Sequence, residues 1–158
     1  NGYSLVRKIV FEGASLDVNE RVEELGETVG DALLKPTRIY TAAVQAVMKH
    51  FSGRCAIHGM AHITGGGFSE NIERILPDGC AVNINRNSWD APPVFEWLQK
   101  LGDVDSTEMG RVFNLGIGYV MVVAPEDAEA TLQILHQANT PAWQIGEIQA
   151  GNKSVTLK

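Results

Sequence analysis

Several absences narrow what this chain can be. It has only two cysteines, Cys55 and Cys80, and they form neither a C-x-x-C pair nor a disulfide framework. That usage fits a reducing compartment, and the sequence predicts a cytoplasmic protein. Cations are outnumbered, with 13 Lys and Arg against 19 Asp and Glu, so a general nucleic-acid surface is excluded. No apolar run reaches membrane-spanning length, and no segment has the pattern of a signal peptide. The phosphate-loop spacing G-x-x-x-x-G-K-[ST] is missing together with its lysine, as is G-x-G-x-x-G. His58 and His62 fall on one face of an extended segment, too far apart to share an ion without a bend, and no Cys or carboxylate stands at ligand spacing, so no metal ligands are assigned. An initiator methionine is also missing. The chain opens Asn1-Gly2-Tyr3-Ser4 inside what reads as a helix entry, as expected of a fragment of a longer protein.

What is present suits a globular fold. Hydrophobic residues make up 44% of 158 residues, enough to build one core and to predict one domain over 1–158. The most informative stretch is His62-Ile63-Thr64-Gly65-Gly66-Gly67-Phe68-Ser69-Glu70-Asn71-Ile72. An apolar strand pattern, Ala56 to Ile63, enters it, and a helix pattern with Phe68, Ile72 and Leu76 leaves it. Three successive glycines at such a junction suit a sharp turn or a close backbone approach to a ligand. Free N–H groups at the start of the following helix would favour an anion. Both readings stand open, a turn needing positive φ and a phosphate or substrate loop. A polar rim of His62, Thr64, Ser69 and Asn71 belongs to the second.

The rest of the pattern predicts an α+β fold, a mixed sheet packed with helices. Leu5, Val6, Ile9 and Val10 form the stripe of a first helix. Residues 12–27 read as an acidic surface excursion, and 28–34 as a short helix stopped by Pro36. Pro36-Thr37-Arg38-Ile39-Tyr40 reads as a rigid connector into a helix over 41–51. Arg38 on that connector is either a surface arginine or the fork that holds a phosphate or carboxylate. In the strand over 56–63, Gly59 is a candidate bulge. Helices are expected over 68–76, from Pro92 or Pro93 to Leu101 with Gly102 as the stop, over 109–113, and from Pro125 to Asn139. Strands are expected over 80–84 and from Asn114 through Val123, the latter with Gly116 and Gly118 on one face. Residues 142–148 and 154–157 are expected to pair as a hairpin around Gly151-Asn152.

Three separated motifs resemble one family. They are Pro36-Thr37-Arg38-Ile39-Tyr40, then Ala61-His62-Ile63-Thr64-Gly65-Gly66-Gly67-Phe68 with Glu70-Asn71-Ile72, Arg74 and Leu76-Pro77, then Glu108-Met109, Arg111, Phe113-Asn114 and Gly116-Ile117-Gly118. Together they resemble the C-terminal domain of phosphoribosylformylglycinamidine cyclo-ligase, or AIR synthetase. Val112 departs from the threonine usual there.

The resemblance implies an enzyme of purine biosynthesis that converts formylglycinamidine ribonucleotide and ATP to aminoimidazole ribonucleotide, ADP and phosphate. It implies ATP and Mg²⁺, with the metal held mainly by an N-terminal domain outside this chain, and a homodimer of the full-length protein. His62 is then the candidate proton-transfer residue, because imidazole titrates in the useful range. Thr64, Gly65, Gly66, Gly67, Ser69, Asn71, Arg38 and Asn114 are candidate phosphate or substrate contacts. The alternatives are a same-fold ATP-using relative, of the selenophosphate synthetase, thiamine-monophosphate kinase, hydrogenase maturation or formylglycinamidine synthase type, or a non-catalytic ligand-binding domain.

Overall fold

The predicted stripe of the first helix is buried. In a computed structural model describing residues 1–158, helix α1 (Tyr3–Arg7) runs directly into a π-helical segment, Lys8–Gly13, and Val6, Ile9 and Val10 face inward. Gly102 lies against this stripe, since a Cβ there would sit 2.7 Å from Ile9. The close approach explains the glycine better than the predicted helix stop does. Gly102 is the last residue of α5 (Pro93–Gly102), and Asp103, with φ of 45°, takes the left-handed cap position instead.

The acidic stretch 12–27 is more ordered than expected. It holds a two-residue ladder between β1 (Arg21–Val22) and β2 (Glu27–Thr28), and Val22 reaches the core. Thr28 then caps α2 (Val29–Leu33), its hydroxyl accepting from the Asp31 N–H at 3.1 Å. Pro36 follows, and the chain has no regular structure from Lys35 to Tyr40, after which α3 (Thr41–His50) begins. The structure is α+β, with three small sheets in place of one continuous mixed sheet.

The first functional sheet pairs β3 (Ile57–His62) antiparallel with β5 (Tyr119–Val123). Its register shifts between Ile57 and Gly59, so His58 and His62 are not held in simple period-two alternation. β5 is shorter than predicted. Residues 114–118 form a turn, because Leu115 and Gly116 have φ of 48° and 98°. Gly116 and Gly118 therefore do not share a strand face.

The second sheet overturns the predicted closing hairpin. β4 (Cys80–Ile84) lies between β6 (Gly146–Ala150), antiparallel to it, and β7 (Val155–Leu157), parallel to it. The turn after Ala150 thus straddles the neighbouring strand. Gly151 passes so close to Ala81 that a Cβ would come within 2.5 Å of the alanine side chain. β4 gains the most from this arrangement, since Ala81, Val82 and Ile84 are buried and both its edges are paired.

Helices α4 (Gly67–Glu73), α6 (Ser106–Val112) and α7 (Ala128–Gln137) complete the fold. Asp105 caps α6 by accepting from the Thr107 N–H at 2.8 Å. The core gathers Phe68, Ile72, Trp89, Met109, Phe113 and Ile117 between α4, α6 and the π-helical segment. Burial of a side chain such as Phe68, 1% exposed, contributes about 1.5–3 kcal/mol. Trp89 lies between β4 and α5, and it is buried, with its indole N–H donating to the Leu115 carbonyl at 2.9 Å.

Candidate functional site

Strand β3 delivers His62 to its carboxyl end, where the register sets it opposite Tyr119 of β5. The connector before α3 brings a third ring alongside. Tyr40 lies 5.4 Å from Tyr119 and 6.2 Å from His62, centroid to centroid, and the His62 and Tyr119 rings are 6.5 Å apart. Tyr40 and His62, from two of the separated sequence motifs, therefore meet at one strand end with Tyr119, which directly follows the third. The Tyr40 hydroxyl stands where a Cβ of Gly118 would be, and its Cζ would lie 2.9 Å from that Cβ. Burial raises the Tyr40 pKa above the ordinary phenol range, against a smaller lowering by the Arg38 charge. Arg38 itself is exposed and forms no ion pair or side-chain hydrogen bond.

The glycine loop follows His62 directly. Gly66 and Gly67 have φ of 90° and 56°, conformations that suit glycine. Gly67 has a further reason to lack a side chain: a Cβ would collide with the Gly110 carbonyl and lie 3.0 Å from the Arg111 carbonyl of α6. At Gly66 a Cβ would meet the Glu70 side chain, 2.8 Å from its Cβ, because the Glu70 carboxylate folds back over the loop toward Arg74, 3.6 Å away. Gly65 differs from both. Its φ is not positive, and a Cβ there would meet nothing within 4 Å. Neither a turn nor packing accounts for glycine at position 65.

Asn71 takes a different place from the rim position expected for it. It is buried, and its amide nitrogen donates to the carbonyls of Thr64, Gly65 and Gly67 at 3.3, 3.2 and 2.7 Å. It braces the loop from inside. Thr64 and Ser69 are exposed beside it. The Gly67 N–H donates to the Thr64 carbonyl at 3.0 Å, while the N–H groups of Gly65, Gly66, Phe68 and Ser69 have no protein acceptor.

Asn114 likewise shapes a turn, accepting from the Gly116 N–H at 3.0 Å. Glu108 and Arg111 form a two-point ion pair, with distances of 2.6 and 2.7 Å. The hydrogen bond from Arg111 holds the Glu108 carboxyl below its usual range.

Tyr40 is the functional candidate that sequence reasoning passed over. The signal was present, since a tyrosine closes the proline-braced motif that carries Arg38. What could not be read was the pairing of its ring with Gly118. A cavity of about 1010 Å³ opens beside the ring cluster, lined among others by Arg38, Tyr40, Gly118 and Tyr119. His62, the glycine loop and Asn114 lie outside its lining. No three His, Cys, Asp or Glu side chains converge anywhere in the structure, so the residues of this chain do not by themselves fit a Mg²⁺ ion.

The chain is similar to known proteins over its whole length. The family described as AIR synthase related protein, C-terminal domain, matches residues 1–158. A phosphoribosylformylglycinamidine cyclo-ligase of Geobacillus thermodenitrificans is 50% identical over 151 residues, covering 96% of this chain and 42% of that protein. One from Syntrophus aciditrophicus is 45% identical over 156 residues, covering 98% of this chain and 44% of that protein. The chain thus spans less than half the length of these curated relatives. A crystal structure of thiamine-monophosphate kinase from Stenotrophomonas maltophilia shares the fold, with a TM-score of 0.62 at 13% identity, over 99% of this chain and 46% of that one.

Proposed function

Because this chain belongs to the AIR synthase related protein C-terminal domain family, we propose that it is the C-terminal domain, over 1–158, of a phosphoribosylformylglycinamidine cyclo-ligase. The reaction is closure of formylglycinamidine ribonucleotide to aminoimidazole ribonucleotide with conversion of ATP to ADP and phosphate. The observation that carries the reading is the meeting of Tyr40 and His62, from two separated motifs, with Tyr119, directly after the third, at the end of β3 beside the glycine loop and an unpaired Arg38.

In this reading each residue has a physical task. Ring closure moves a proton off nitrogen, and His62 is the exposed imidazole placed to accept or hold it. Arg38 offers an uncommitted guanidinium to an anionic group of substrate or ATP. The free N–H groups of Gly65, Gly66 and Ser69, with the Thr64 hydroxyl, face a phosphate without adding charge. Gly65 leaves that approach open, Gly67 and Asn71 hold the loop's shape, and Asn114 sets the turn before Gly118. A phosphate arriving here displaces the Glu70 carboxylate. Mg²⁺, which supplies charge neutralisation at the phosphates, is assigned to carboxylates of an N-terminal domain. That domain and a homodimeric partner complete the working enzyme, which acts in the cytoplasm.

The thiamine-monophosphate kinase likeness supports the fold alone at 13% identity, whereas the cyclo-ligase relatives reach 50%. The deciding experiment is kinetic. With the longer polypeptide, His62→Asn should lower kcat and alter its pH profile, and Arg38→Ala should raise KM by an amount equivalent to about 1.5–3 kcal/mol. Unchanged kinetics in both variants would refute the assignment of this site. This chain alone should show no turnover with substrate, ATP and Mg²⁺.

A further inference from the structure

The cavity beside the ring cluster has a composition of its own. Of the 40 residues lining it 24 are hydrophobic, so its body suits an apolar ligand rather than a sugar phosphate. Its walls come from both larger sheets, from α3 and from α7, with Val122 and Leu132 among them. Its volume of about 1010 Å³ is at the upper end for small-molecule sites, which run to roughly 1,000 Å³. The polar groups include the carboxylates of Asp90, Glu126 and Glu147, and two of the donors lack partners. Arg38 carries a full charge with no carboxylate against it, and the Tyr40 hydroxyl takes part in no hydrogen bond. Burial keeps that phenol protonated, so it is a donor. Tyr40, Tyr119 and Trp143 supply aromatic surface to the lining.

We propose that this cavity is a binding site for a small aromatic anion, its rings held against the apolar walls and its anionic head by the Arg38 guanidinium and the Tyr40 hydroxyl. The cavity as a whole is not basic, and the head is selected locally, because Arg38 and Tyr40 are both donors and the guanidinium has no acceptor of its own. Aromatic surface at the lining selects a ring system over a flexible acyl chain. The site is distinct from the glycine loop, which does not line it, yet both draw on Arg38. An occupied cavity therefore competes with the proposed substrate for that guanidinium.

Binding is measured without substrate, so the outcome is independent of the cyclo-ligase reading. The probe is anilinonaphthalenesulfonate, titrated by fluorescence into the chain, with decanoate as a competitor. One saturable site per chain is expected. Arg38→Ala, an exposed change that leaves the fold intact, should weaken it about tenfold or more, while Glu73→Ala, an exposed change outside the lining, leaves it unchanged. Leu132→Trp should narrow the cavity and weaken binding. If circular dichroism shows that this variant does not fold, the Arg38→Ala titration decides. Absence of saturable binding, equal affinity in Arg38→Ala, or displacement by decanoate as effective as by unlabelled naphthalenesulfonate would overturn the proposal.

Discussion

The hydroxyl of Tyr40 occupies the space that a Cβ on Gly118 would need. The two residues lie far apart in sequence, and each explains the other's identity. Gly118→Ala should therefore destabilise by about 1–3 kcal/mol through overpacking against the ring. In a Tyr40→Ala background the same change should be nearly harmless. Urea denaturation of the four proteins of this double-mutant cycle measures the coupling. Additive effects would show that the two residues do not meet.

Tyr40 also predicts a pH dependence. Its folded pKa is raised by burial, so its contribution to stability is fully present below the unfolded value of about 10 and is lost as pH rises through the folded one. Stability measured above pH ~10 should fall less steeply in Tyr40→Phe than in wild type. Arg38→Ala removes the opposing charge and should move the phenolate absorbance midpoint further upward. A midpoint that stays put or moves down would contradict the contact between the two side chains.

The three glycines of the loop should separate by function. Gly67→Ala meets a backbone carbonyl and a left-handed φ, and should cost about 2 kcal/mol or more. Gly65→Ala has room and an ordinary φ, so its thermal unfolding should match wild type while phosphate affinity falls. Gly66→Val is intermediate, strained in φ and pressing on Glu70. Melting curves with parallel phosphate titrations give both readouts. A Gly65→Ala variant with full anion affinity would reduce that glycine to a neutral surface position.

Asn71→Ala should loosen the same loop from below. It removes the donor to three carbonyls and should destabilise by about 1–3 kcal/mol. Hydrogen exchange should accelerate at Gly67, whose N–H is bonded across the loop. Unchanged exchange there would mean that the glycine conformations alone hold the turn.

Legibility in the sequence followed the range of the interactions. Helix α2 was readable because Thr28, Asp31 and Pro36 act within one turn of it, and the Gly59 irregularity because a glycine inside an apolar strand has few other uses. The end of β3 at His62 and the glycine turn were local in the same sense. Gly102 was read as the helix end, where α5 does stop, but its close approach to Ile9 was not legible because that partner is remote in sequence. Asn71 looked like rim because its polar amide gave no sign that three loop carbonyls surround it. The strand expected from Asn114 failed at Leu115, where an apolar residue adopts a positive φ that pattern reading does not anticipate. Tyr40 was missed for the same reason as Gly102, since the contact that defines it comes from Gly118.

The insertion of β4 between β6 and β7 has a consequence for how the chain reaches this state. Ile84 pairs with Gly146 on one side and Leu157 on the other. Neither neighbour exists for β4 until the chain has grown past Ile84 as far as Gly146 on one side and Leu157 on the other. Through that interval Ala81, Val82 and Ile84 form an apolar strand with two open edges, the kind of segment that recruits other chains. Loop closure over such separations is slow. The second sheet should thus assemble last, and the time in which this protein is prone to associate wrongly is set by the arrival of residues 146–157.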